Sequence, residues 1–153
     1  MYNIKLFKGY DGNDFLGMSP SEVVENMPDF EETFFLGEND EIRRDMSRDF
    51  IAYYNDDNKS CIAIQFVNTE IDVFFNNIQL MRIPEDNLIY ELKRLFPSEE
   101  IITDGENYML IEKSLSIFVT EGMVGGVLVG QKGYFDFIKK ELAEPAPSRL
   151  RRV

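Results

Sequence analysis

The chain has no histidine and only one cysteine. Without imidazole there is no His-based triad, no His general base and no imidazole metal ligand, so the commonest routes to nucleophilic and zinc catalysis are closed. A lone cysteine rules out an internal disulfide. Cys61 sits in the apolar run Cys61-Ile62-Ala63-Ile64-Gln65-Phe66-Val67, which reads as a buried strand, and a packed thiol is expected there rather than a nucleophile. Cations are scarce as well: 16 Lys and Arg stand against 28 Asp and Glu, a formal net charge of -12. Phosphate recognition needs clusters of Lys and Arg, so no nucleic acid is expected and a basic protein partner is. The blander alternative is that the acidity serves solubility alone. No apolar run approaches the roughly 20 residues that span a bilayer. Met1 to Lys8 also lack an apolar signal core, so no membrane partner and a cytoplasmic location are expected.

What is present suffices for a core, since 153 residues with 44% apolar content include 13 Phe and 7 Tyr. The most informative stretch is Gly17-Met18-Ser19-Pro20-Ser21-Glu22-Val23-Val24-Glu25-Asn26-Met27-Pro28. Ser19 can cap a helix, Pro20 falls where a missing N–H costs nothing, and Glu22 is placed to close a capping box. Val23, Val24 and Met27 form an apolar face, and Pro28 stops the helix. A second helix is read over Pro84 to Pro97, with acids in its first turn, cations in its last, and Leu88, Leu92, Leu95 and Phe96 on one side. A closing helix over Tyr134 to Leu142 presents Phe135, Ile138 and Leu142.

Strands are read from runs of β-branched and aromatic residues between Asn, Asp and Gly turns. Tyr2 to Phe7 is a short strand, followed by a turn at Gly9 to Asp14. Phe50 to Tyr54, Lys59 to Val67, Glu70 to Phe75 and Ile78 to Ile83 suggest one antiparallel meander. Glu100 to Thr103, Tyr108 to Glu112, Leu115 to Thr120 and Val124 to Val129 suggest another. In the last run Gly125, Gly126 and Gly130 indicate a bulge or the close approach of another group. Residues 17–83 and 84–130 thus form a weak internal repeat of element order within one α+β domain spanning 1–143. The expected fold is an antiparallel sheet, as two meanders or one curved sheet, with two or three short helices on one face, those at Pro20 and Pro84 among them. Residues 144–153 carry Pro145, Pro147 and a surplus of two positive charges, and are expected to be a flexible basic tail.

Between Glu22 and Asp49 lie ten carboxylates, read here as an acidic connector interspersed with Phe30, Phe34, Phe35 and Leu36. That composition suits a surface meeting a cationic partner, because carboxylates steer and pair while aromatic side chains supply desolvated anchor area. Glu31, Glu32, Glu38, Asp40, Glu41 and Asp45 are the candidate contacts. The alternative is a solvated loop whose Phe residues tuck under the sheet. Asp56-Asp57-Asn58 and Asp104-Gly105-Glu106-Asn107 lack the ligand spacing of a calcium loop and read as turns. The glycine-rich Gly122 to Gly133 lacks both phosphate-loop spacings. No cofactor or metal is expected.

Gly17-Met18-Ser19-Pro20-Ser21-Glu22-Val23 and the hairpins after it resemble the G-M-[ST]-x-x-E-V helix start of tandem helix-plus-sheet modules. These occur in SmpA/OmlA-like and beta-lactamase-inhibitor-like proteins and in small acidic bacterial proteins of the toxin-immunity type. The chain departs from the first group in lacking a lipoprotein signal and from the second in lacking paired cysteines. The resemblance implies a stand-alone binding module whose sheet face or loops plug a partner. Combined with the charge, it leads to the expectation of a non-enzymatic immunity-type inhibitor of a basic toxin domain. Two other classes stay open: a small-molecule or peptide sensor with an aromatic-lined pocket, and an enzyme working with carboxylates alone.

Overall fold

Burial alternates residue by residue in runs such as 50–54 and 73–75, and the described residues fold into short strands and three α-helices. The computed structural model describes residues 1–145 and 148–153. In chain order the elements are β1 (Tyr2–Lys5), β2 (Gly9–Tyr10), α1 (Pro20–Asn26), β3 (Phe30–Leu36), β4 (Ile42–Ser47), β5 (Phe50–Tyr54) and β6 (Cys61–Phe66). There follow β7 (Val73–Phe75), β8 (Ile78–Gln79), α2 (Glu85–Leu95), β9 (Ile102–Thr103), β10 (Asn107–Leu110), β11 (Leu115–Thr120), β12 (Met123–Gly130), α3 (Asp136–Ala143) and β13 (Arg151–Arg152). The fold is α+β with mostly antiparallel sheet.

Nine strands form one sheet in the order β13-β9-β10-β11-β12-β6-β5-β4-β3. Two four-stranded meanders, β3 to β6 and β9 to β12, join through their last strands, which run antiparallel with Ile64 opposite Val129 and Phe66 opposite Val127. Each meander follows a helix. A smaller sheet, β2-β1-β7-β8, includes the parallel pair β1 and β7. The third and fourth runs of the expected first meander therefore leave it: after β6 the chain turns into the small sheet, and β6 finds its second neighbour in β12.

Period-two alternation places Phe50, Ala52, Tyr54, Ile64, Phe66, Val127, Val129, Leu115, Ile117, Tyr108 and Leu110 on one face, all buried. Val23 of α1 and Met27 at its C-terminal end, Leu88 and Leu92 of α2, and Tyr10, Val73 and Phe75 of the small sheet close over that face. At the centre Tyr2, Tyr10, Phe15, Phe50 and Phe66 form a ring cluster, in which the Phe50 and Phe66 centroids are 5.7 Å apart. Burying each such side chain contributes roughly 1.5–3 kcal/mol. The entry to α1 is the capping box expected of it: the Ser19 hydroxyl accepts from the Glu22 N–H, and Glu22 accepts from the Ser19 N–H.

The opposite face is covered over β9, β10 and β12 by α3, whose Ile138 packs with Phe135, Ile102, Met109 and Leu150. α1 and α2 share the main core face, as expected of the helices at Pro20 and Pro84, while α3 lies on the other face. Gly130 lies under the Tyr134 ring, where an added Cβ would be 2.7 Å from the ring. The register slips between Phe118 and Val119, opposite Gly125 and Gly126, giving the bulge that the glycines suggested.

The basic tail is also different from expectation. Ala146 and Pro147 lie outside the described residues, but beyond them Arg151 and Arg152 pair antiparallel with Thr103 and Ile102 as an edge strand. Leu150 is buried, the Arg149 guanidinium meets Asp104 at 2.9 Å, and Arg152 meets Glu100 at 2.9 Å. The prolines argue against a helix there. They do not prevent a short strand held by one apolar anchor and two ion pairs.

Candidate functional site

Residues 29–49, read from sequence as an acidic connector, are instead dominated by the β3–β4 hairpin, which forms one edge of the nine-stranded sheet. Phe34 stands opposite Arg44 and Leu36 opposite Ile42, with a bulge between Phe30 and Glu32. The connecting turn uses left-handed backbone at Gly37 (φ 92°) and Asp40 (φ 53°). A side chain at position 37 would collide with the Glu41 carboxylate, which folds back to accept from the Asn39 N–H at 2.9 Å. The neighbouring turn fastens the hairpin from the side. Asn58 Oδ1 accepts from the Arg43 N–H at 3.2 Å, and its Nδ2 donates to the Glu41 carbonyl at 2.8 Å.

Asp45 corrects the expectation that placed it on the partner surface. It is fully buried, facing inward opposite Ala52, because strand pairing alternates faces and gives Thr33, Asp45 and Tyr54 the same side. Its carboxylate accepts from the Thr33 hydroxyl, from the Tyr54 hydroxyl, and from Arg43 Nε at 3.0 Å. Burial raises the Tyr54 phenol pKa, and the carboxylate it donates to raises it further.

The other candidates, Glu31, Glu32, Glu38, Asp40 and Glu41, are exposed, and among the described residues none forms a salt bridge. The nearby cations are otherwise engaged. Arg43 is held by Asp45, Arg48 bridges Asp29 at 3.0 Å and Asp49 at 3.2 Å, and the Arg44 guanidinium lies 4.4 Å from the Tyr53 ring centroid. Positions 31–41 hold five carboxylates and no Lys or Arg. The same hairpin carries Phe30, Phe35, Leu36 and Ile42, four of the ten exposed large apolar side chains among the described residues. Sequence reading had the acids and the aromatics but missed that a strand edge displays them together.

Asp49, at the base of the hairpin, is buried, which by itself would raise its carboxyl pKa. Hydrogen bonds from Tyr2 at 2.5 Å, Asn68 at 2.9 Å and Arg48 outweigh burial and hold it below the usual carboxylate range. Two other hollows stand apart from the hairpin. One, of about 210 Å³, lies under α3 and is lined by Phe118, Tyr134, Phe135 and Phe137 among others. The other, of about 400 Å³, contains Lys139 and Arg152, which are already paired with Glu112 and Glu100. No described helix is long and apolar enough to cross a membrane. No group of three or more Cys, Asp or Glu among the described residues is arranged to hold a metal ion. Comparison of the chain with protein-family models, with curated proteins and with solved structures finds no match.

Proposed function

We propose that the protein is a non-enzymatic binding module of the immunity type, acting in the bacterial cytoplasm, which docks onto a basic toxin domain through the β3–β4 hairpin and blocks it. The observation that carries this is the set of five carboxylates, Glu31, Glu32, Glu38, Asp40 and Glu41, which form no salt bridge among the described residues and stand among exposed apolar side chains. A toxin that acts on an anionic substrate presents a cationic surface, and an acidic module complements that field. The apolar neighbours then supply contact area that excludes water.

The test partner is a catalytically inactivated cationic toxin domain, sought first in the reading frames beside this gene. Steered association is fast at low salt and is screened as the Debye length shrinks from about 30 Å at 0.01 M to about 3 Å at 1 M. The association rate is expected to fall about 10- to 1000-fold over that range. Replacing Glu31, Glu32, Glu38, Asp40 and Glu41 by their amides is expected to abolish most of the salt dependence. A rate indifferent to ionic strength, or unchanged in the amide variant, would overturn the proposal.

A second reading, a small-molecule or peptide sensor, is favoured by the aromatic lining of the hollow under α3. That hollow is about 210 Å³ and a second, of about 400 Å³, shares Tyr134 and Phe137 with it, against the roughly 300–1,000 Å³ usual for ligand sites, so the hairpin is preferred for its cluster of carboxylates and not on volume. A ligand retained in native mass spectrometry and displaced by Phe118→Trp would reverse that order.

A further inference from the structure

We infer that β3 receives an extended segment of the cationic partner as an added strand, an inference that rests on the acidic docking proposed above. β3 spans seven residues, pairs with β4 on one side and, among the described residues, has no strand on the other. Edge strands in soluble proteins are commonly blunted by lysine, proline, brevity or a covering element. β3 contains no lysine or proline, and its one bulge lies at its first residues. Phe30, Phe35 and Leu36 remain exposed along it. An unpaired edge offers a row of backbone donors and acceptors, which supply affinity, while side chains on alternate positions supply selection.

Charge selects the occupant. Glu31 and Glu32 lie on the edge, and Glu38, Asp40 and Glu41 stand at the turn beyond it. A second copy of the chain docked antiparallel, β3 to β3 over residues 30–36, would set Glu31 opposite Phe35 and Glu32 opposite Phe34, so each carboxylate would meet an apolar side chain and gain no cation. The opposite sheet edge, β13, is two residues long, and Arg152 there is committed to Glu100. An incoming strand that alternates Lys or Arg with apolar residues meets Glu32 with its cations on one face of the sheet and covers Phe35 with apolar area on the other.

The test uses the full chain and three synthetic probes: an octapeptide alternating lysine and valine, the same peptide with every backbone nitrogen methylated, and an octapeptide alternating glutamate and valine. Binding is followed by calorimetry at low salt and by amide hydrogen exchange over residues 30–36. The lysine peptide is expected to bind and to slow exchange in β3 at least tenfold. The methylated peptide is expected to bind at least tenfold more weakly, and the glutamate peptide not at all. In the double variant Glu31→Lys/Glu32→Lys the preference should invert, with β3 still the protected strand. Equal binding of methylated and unmethylated lysine peptides would overturn strand addition while leaving acidic docking standing. Failure of both lysine peptides to bind would remove both proposals. Concentration-dependent self-association of the free protein that protects β3 would assign the edge to a second copy instead and overturn the inference.

Discussion

Replacing Asp45 by alanine separates a structural carboxylate from a surface contact, because the two roles predict opposite results. The substitution removes the acceptor for the Thr33 and Tyr54 hydroxyls and the counter-charge of Arg43. Tyr54 is only 6% exposed, so its hydroxyl loses its partner where water reaches poorly. An unsatisfied buried donor costs about 1–3 kcal/mol. Breaking a buried ion pair by removing one member costs about 3–5 kcal/mol. The Arg43 side chain keeps 26% of its surface in water, so its abandoned charge is partly solvated. The lower end of that range, about 3 kcal/mol, is therefore expected.

Against a native stability of roughly 5–15 kcal/mol this is a large fraction. With a urea m-value near 2 kcal/mol per molar, the midpoint should fall by about 1.5 M. Equilibrium urea unfolding followed by circular dichroism reads it directly. Tyr54→Phe alone is expected to cost about 1 kcal/mol. In the Asp45→Ala background the same change should cost almost nothing, since it removes the orphaned hydroxyl, giving a coupling of about 1 kcal/mol. A loss for Asp45→Ala within about 0.5 kcal/mol, the usual range for surface positions, would refute the role of Asp45 as the anchor of the hairpin.

Other expectations test the core and the titrating groups. Gly130→Ala would place a methyl 2.7 Å from the Tyr134 ring, and such overpacking costs about 1–3 kcal/mol; a melting temperature equal to that of the wild type would contradict the close approach. Burial alone would raise the Asp104 carboxyl. Hydrogen bonds from Asn107, the Glu106 N–H and Arg149 outweigh it and bring the pKa down to about 2 from an ordinary 3.8. A depressed folded pKa means stabilisation present above the ordinary value and lost as pH falls through the folded one, so this contribution should fade between about pH 4 and pH 2. Asp104→Asn should flatten that part of the acid limb of a pH–stability curve, and an unchanged limb would contradict it. Burial pushes the Cys61 thiol up to about 12, so a disulfide-exchange reagent at about pH 8 should leave it unlabelled until denaturant is added; rapid labelling of the native protein would refute its burial.

Local chemistry was the legible part of this chain. Ser19, Pro20 and Glu22 act on backbone groups within three residues of themselves, and the helix they open is the one found. Asn76-Asn77 and Glu121-Gly122 supply the positive φ angles of their tight turns within two residues. What stayed hidden depends on distant partners. Nothing near Ile64 announces that it will pair with Val129, or that β7 will leave the meander to lie beside β1. The tail strand escaped notice because two prolines dominate its composition, while Leu150 and its ion pairs become anchors only beside β9. The acidic stretch was hidden for a related reason. In Phe30-Glu31-Glu32-Thr33-Phe34-Phe35-Leu36 neither face is consistently apolar, since an edge strand outside the core need not make one so.

The same circumstance explains how the hairpin can be both exposed and held in place. Phe35 and Leu36 contribute little burial, so apolar packing alone does not fix the outer end of β3 and β4. Polar ties fix it instead. Asp45 gathers Thr33, Arg43 and Tyr54 beneath the hairpin, and Asn58 grips the backbone at Glu41 and Arg43 from the adjacent turn. Such a network is directional where hydrophobic contact is not, and it sets the register of β3 without covering its outer edge. It also takes up the Arg43 charge that would otherwise offset the carboxylates nearby. One inward carboxylate therefore fixes the shape of the hairpin and preserves its negative field, which is why a residue remote from the exposed surface governs what that surface can present.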